Sequence, residues 1–278
     1  MNDARPRLAV ERRGEGTASA PPLVVLHGGG PGCHAAADFH ALLPFLADRE
    51  LLLVDLPGYG GSPLPAVRGP RMAGCADALA SLLDDAGIAG CDVLTTSLGG
   101  IVAMVLSARR PDLVGRLVAG GSQPLPAPPG VTADLELGRR ARAAYYDAGE
   151  PTPERLRETV LALEWHDPRR VPDDLLRRRH AASISPASRA VAADPGLLGD
   201  PDDLSGLLGE VRAETLVLWG EHDPFGEPAY GAWLADGLPR GSAAVVPGTA
   251  HHPQSERPAP TAALVRAHLS SSHDSKEN

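Results

Sequence analysis

Short runs of Val and Leu recur along the chain at 23–27, 51–55, 92–96, 116–119, 215–219 and 243–246. Apolar on consecutive positions, they read as parallel strands covered on both faces. A further strand near 8–11 is expected to start the sheet. Between the runs, residues 35–47, 71–86 and 98–110 carry apolar positions at helical spacing, with Gly87 and Pro111 where helices stop. Strand and helix in alternation predict an α/β, doubly wound, mostly parallel sheet. Such sheets gather their reactive groups beyond the carboxyl ends of the strands, so the loops after His27, Thr96 and Trp219 are where chemistry is expected.

The alternation stops between Gln123 and about Glu210. Proline-rich pieces, such as 124–129, flank helical stretches near 135–146, 154–165 and 173–182. The expected organisation is a core of residues 1–122 and 211–270, a helical lid at 123–210 covering the active end, and a disordered polar tail at 271–278.

Composition removes several classes of function. The 278 residues carry a formal net charge of -9 and no basic cluster, which argues against a nucleic-acid partner. Lys276 is the sole lysine, so Schiff-base chemistry and the phosphate loop ending in Gly-Lys-Ser/Thr are excluded. The first ten residues lack the apolar stretch of a secretory signal, and no run approaches the ~18 apolar residues of a membrane span. Cys33, Cys75 and Cys91 fit neither a disulfide framework nor a zinc ribbon, and are read as reduced thiols of a cytoplasmic protein. A small-molecule substrate is expected, with no cofactor, metal, nucleic acid or membrane partner; a homodimer is left open.

Five segments carry candidate chemistry. In Asp92-Val-Leu-Thr-Thr-Ser97-Leu-Gly-Gly100 a strand runs through a serine directly into a helix, the pattern of a nucleophile elbow. The positions two before and two after such a serine must be small, and Thr95 and Gly99 hold them; Thr95 departs from the usual glycine. A plain N-cap serine is the alternative, but Gly99 and Gly100 in the first helical turn make better sense as close packing behind an elbow. The loop His27-Gly-Gly-Gly-Pro-Gly32 exposes backbone amides suited to an oxyanion, with Gly29 and Leu98 as the donors and Gly30 as the neighbouring candidate. Pro31 spoils the spacing of a dinucleotide loop. Asp55 heads a turn-rich segment read as structural. After the strand at 215–219, Asp223 is the candidate acid, with Glu221 as rival. Last, Ala250-His251-His252-Pro253 follows a strand; His251 is the candidate base and His252 its neighbour. No third and fourth ligand falls at a workable spacing for a metal on this histidine pair.

In their chain order, glycine loop, turn, serine, aspartate and histidine, these segments resemble the α/β-hydrolase superfamily over 23–258, and Glu256 and Pro258 match the family's pattern after a catalytic His251. The resemblance implies a serine hydrolase with Ser97 as nucleophile, His251 as base and Asp223 as acid, acting on an ester, lactone or activated carbon-carbon bond. The glycine loop looks like that of meta-cleavage-product hydrolases and proline iminopeptidases. The segment 167–180 looks like the lid of the former, where an arginine followed by an aromatic helps bind the substrate carboxylate; Arg179 holds that position, and His252 is taken as a further substrate contact. Three positions depart from those enzymes: Thr96 in place of Asn, His180 in place of the aromatic and His252 in place of Trp. An iminopeptidase, a biosynthetic cyclase and a non-catalytic binding protein on the same fold remain alternatives.

Overall fold

The computed structural model describes residues 7–14, 16, 20–65 and 69–270. The predicted tail at 271–278 lies outside the described residues. Seven strands form one sheet: β1 (Val10–Arg13), β2 (Leu23–Leu26), β3 (Leu51–Val54), β4 (Cys91–Thr96), β5 (Val114–Gly120), β6 (Glu214–Gly220) and β7 (Gly241–Val246). Their order is β1-β3-β2-β4-β5-β6-β7, with β1 antiparallel to β3 and every other pairing parallel.

Pleating divides each central strand between two cores, because successive side chains face opposite sides of the sheet. Val24, Leu26, Leu52, Val54, Leu117, Val217 and Trp219 pack with Leu79, Val102, Leu106 and Leu234 of the helices Arg71–Asp85, Leu98–Arg109 and Pro228–Asp236. Leu23, Val25, Leu51, Leu53, Leu94, Val118 and Leu218 face the other way, onto Phe39, Leu42, Leu46 and the helix Pro258–Ser270 through Ala262, Val265 and Leu269. The edge strand β1 is exposed along its length and carries Glu11, Arg12 and Arg13, charges that discourage edge-to-edge pairing.

Proline explains most of the differences from expectation. The helix expected at 35–47 is two pieces, an α-turn at Ala35–Asp38 and a 3-10 turn at Leu43–Leu46, with Pro44 in the first turn of the second, where its missing N–H matters least. The helices Pro186–Ala193, Pro228–Asp236 and Pro258–Ser270 were not expected, and each opens on a proline at its first position. The stretch expected at 154–165 runs from Pro153 to Glu164 with a π-turn at Arg157–Leu161 in its middle.

Between β5 and β6 the chain builds a helical layer, including Leu137–Tyr146 and Asp173–Ser183, with its own core of Tyr145, Leu156, Val160, Leu161, Trp165, Val171, Leu175 and Leu176. It is pinned to the sheet layer by two short bridges, Ala133 with Gly226 and Asp200 with Pro70. Among the described residues no helix is long and apolar enough to cross a membrane.

Candidate active site

Ser97 stands between the last residue of β4 and the first of the helix Leu98–Arg109, with φ 52° and ψ -117°. It is the one non-glycine residue among those described with positive φ, a strain of about 1–3 kcal/mol that persists only where the surroundings over-determine it. Those surroundings are visible. Its N–H donates to Gly120 O at 2.6 Å, and its carbonyl accepts from Gly100 N–H at 3.0 Å and from the Ser122 hydroxyl at 2.8 Å. A Cβ on Gly99 would lie 2.7 Å from Leu26 O, and one on Gly100 2.0 Å from Ser122 Oγ, so helix and strands approach only because both are glycine. The departure at Thr95 is accommodated because its hydroxyl donates to Val118 O at 2.8 Å instead of crowding the turn.

The loop after β2 is braced from His27 to Pro31. His27 accepts Leu56 N–H on Nε2 at 2.9 Å, which assigns the proton to Nδ1, 2.6 Å from Gly28 O. Gly28 N–H donates to Asp38 Oδ2 at 2.9 Å, Gly29 O accepts from Tyr59 and Arg142, and Gly30 O accepts from Cys33 N–H. The N–H groups of Gly29, Gly30 and Leu98, by contrast, have no acceptor among the described residues. All three residues line the same cavity as Ser97. Asp55 accepts Ala35 N–H and Gly61 N–H and so ties two loops together, a structural placement.

Asp223 and His251 follow β6 and β7. His251 Nδ1 lies 2.7 Å from Asp223 Oδ2, and Asp223 Oδ1 accepts Phe225 N–H at 2.9 Å, which holds the carboxylate in place. Both residues are buried. Burial by itself would lower the imidazole's pKa, but the Asp223 carboxylate, with Glu164 and Asp38 behind it, outweighs that and raises it. His251 Nε2 has no hydrogen-bond partner among the described residues, and neither has Ser97 Oγ; both residues line one cavity of about 490 Å³. Glu221, the rival acid, is exposed and accepts Gly248 N–H. Glu256 bonds Ala250 N–H and His166 N–H, joining the histidine loop to the helical layer.

Arg179 is placed differently from its sequence expectation. Its side chain is 1% exposed, and all five of its N–H donors are engaged: Nη1 by Glu164 and Asp38, Nη2 by Glu164 and Pro31 O, Nε by Pro31 O. It does not line the cavity, whereas Glu164 does. His252 does line it; its ring lies 3.5 Å from Glu164 and burial lowers its pKa, which favours a neutral imidazole there. Asp38, Glu164, Tyr59, Arg71 and Arg142 were not singled out in the sequence. Asp38 had one available signal, a lone acid at the end of Ala35-Ala36-Ala37 beside a glycine loop.

The chain belongs to the Alpha/beta hydrolase family, whose profile matches residues 23–264. It is 31% identical over 214 residues, 73% of this chain and 71% of the relative, to a 2-hydroxy-6-oxononadienedioate/2-hydroxy-6-oxononatrienedioate hydrolase of Burkholderia vietnamiensis (strain G4 / LMG 22486). It is 32% identical, over 88% of this chain and 96% of the relative, to a pimeloyl-[acyl-carrier protein] methyl ester esterase of Aromatoleum aromaticum (strain DSM 19018 / LMG 30748 / EbN1). The solved meta-cleavage product hydrolase from Pseudomonas fluorescens IP01 shares the fold at a TM-score of 0.77 and 21% identity, covering 94% of this chain and 93% of that one. The chain is an enzyme, a hydrolase of small organic substrates.

Proposed function

We propose that Ser97 is the nucleophile, His251 its general base and Asp223 the carboxylate that orients the histidine, and that the bond hydrolysed is an ester. The observation that carries this reading is the 2.7 Å bond from His251 to Asp223, with the other ring nitrogen unengaged on the cavity that Ser97 lines at positive φ. In the first half-reaction His251 Nε2 takes the hydroxyl proton as Ser97 Oγ bonds to the substrate carbonyl carbon. The negative charge formed on the carbonyl oxygen is met by Gly29 N–H and Leu98 N–H, with Gly30 N–H adjacent, each such donor being worth about 3–4 kcal/mol. The tetrahedral adduct collapses, the carbon-oxygen bond to the leaving alcohol breaks, and His251 returns its proton to that alcohol. Water, deprotonated by the same nitrogen, then releases the acid and restores Ser97.

The helical layer at 123–210 serves in this reading as a lid, supported by the cavity's having walls from both layers, Ser97 and Phe225 from one and Leu135, Arg142 and Val160 from the other. The three buried, unpaired cysteines support a reducing, cytoplasmic setting. An ester is favoured over a dienoate carbon-carbon bond because Arg179, which stands at the lid position the dienoate hydrolases use for substrate, has its five donors engaged within the protein, and a relative matched over 96% of its own length is a methyl ester esterase. A panel of 4-nitrophenyl esters of increasing acyl length, run beside a hydroxy-oxo-dienoate, tests this. Faster turnover of esters, abolished by Ser97→Ala, supports it; folded protein that cleaves only the dienoate, or neither, overturns it.

A further inference from the structure

The cavity carries cations that the chemistry above does not use. Arg142, from the helix Leu137–Tyr146, and Arg71, from the first position of the helix Arg71–Asp85, both line it. The two come from different layers of the molecule and meet on one neutral atom: Arg71 Nη2 donates to Tyr59 Oη at 3.0 Å, and Arg142 Nη2 lies 3.5 Å from the same oxygen and 2.8 Å from Gly29 O. Neither has a carboxylate within ion-pair distance among the described residues. Arg71 also stands at the positive end of a fifteen-residue helix, where the backbone dipole disfavours a cation. Asp202 caps that helix end with both oxygens on the backbone N–H groups of Met72 and Ala73.

Two guanidinium groups converging on a phenol oxygen in a partly enclosed cavity repel each other, and the neutral acceptors they share do not offset that repulsion. An incoming carboxylate would, through charge-assisted and bidentate bonds. We propose that Arg142 and Arg71, backed by Tyr59, form a carboxylate subsite beside the Gly29 end of the glycine loop, so that the substrate is an ester whose acyl part ends in a carboxylate. This rests on the serine-hydrolase reading. It places the acid-binding cations away from Arg179, and the apolar residues Ile101, Leu135 and Phe225 line the same cavity to take the carbon chain.

The test compares matched 4-nitrophenyl esters: hexanoate and octanoate against the monoesters of adipate and suberate. Wild-type protein is expected to favour the acidic ester of at least one length, and the ratio of kcat/KM, acidic over neutral, to fall about tenfold in Arg142→Ala and in Arg71→Ala, with partial recovery in Arg142→Lys. Because Arg142 also holds Gly29 O, a purely structural role would depress both esters together and leave the ratio unmoved. An unchanged ratio, or a wild-type preference for the neutral ester at both lengths, overturns the proposal. Calorimetric titration of Ser97→Ala with monomethyl suberate reads the subsite without turnover: binding about tenfold weaker in the added Arg142→Ala background supports it, and equal binding contradicts it. If no ester is turned over, this titration still decides the subsite while the hydrolase reading fails by itself.

Discussion

Two buried charge clusters share the neighbourhood of the glycine loop, and they are finished to different degrees. Around Arg179 every donor is matched: Glu164 grips it with both oxygens, Asp38 holds it at 3.3 Å while its other oxygen holds Gly28 N–H, and Pro31 O takes two more bonds. A Cβ on Gly32 would lie 1.9 Å from Arg179 O, so this helix is seated directly against the loop. Around His251 the pairing stops halfway, with Nδ1 on Asp223 and Nε2 unengaged toward a cavity. A saturated cluster holds a shape; an unsaturated one beside a strained serine has capacity left for chemistry. In the proposed mechanism Arg179 braces the glycine loop and His251 carries the proton.

The largest effect that sharpens this contrast falls on Ser97. Ser97→Ala is expected to lower kcat for the best ester by a factor on the order of 10⁵–10⁶, measured by product release from protein of unchanged circular dichroism. Asp223→Asn should follow at about 10⁴, since the amide favours the wrong tautomer of the imidazole. The pH profile supplies the sign. Neutral imidazole is the working form, and the carboxylates raise the pKa of His251 above its ordinary 6.5, so kcat/KM should rise on a limb alkaline of that value. Asp223→Asn should displace the limb toward acid, and Glu164→Gln should do so by less; a limb that moves toward alkali would contradict the assignment of the base.

Arg179→Met comes next, and its effect should appear as lost stability, about 3–5 kcal/mol in denaturant unfolding, because two buried carboxylates lose their partner. If stability held and only KM for acidic esters rose, the cluster would be a substrate site and the contrast would break. The smallest effect is expected at the elbow's odd residue: Thr95→Ala should cost about 1 kcal/mol, the net worth of the bond to Val118 O.

The strands were legible because buried parallel strands are apolar without interruption, and the sheet follows them within a residue or two. Ser97 and His251 came together on one cavity, with Asp223 bonded behind the histidine, for the same reason: each sits just past the end of a strand, where the topology collects loops. Three helices were missed although each opens on a proline at its first position, Pro186, Pro228 and Pro258, a start signal the apolar spacing alone does not carry. The Arg179 cluster was illegible for a different reason. Its partners, Asp38 and Glu164, are separated from it by 141 and 15 residues, and whether an arginine is free or saturated depends on packing that no local pattern records. Arg142 and Arg71 were hidden likewise, each looking like one more surface arginine in an arginine-rich chain.

The most direct measurement is covalent labelling. A fluorophosphonate incubated with the folded protein should add one adduct, located by peptide mass spectrometry on Ser97, and His251→Ala should slow its formation by orders of magnitude. Native protein that stays unmodified, or carries the adduct on another residue, would contradict the claim that the strained serine is the one His251 activates.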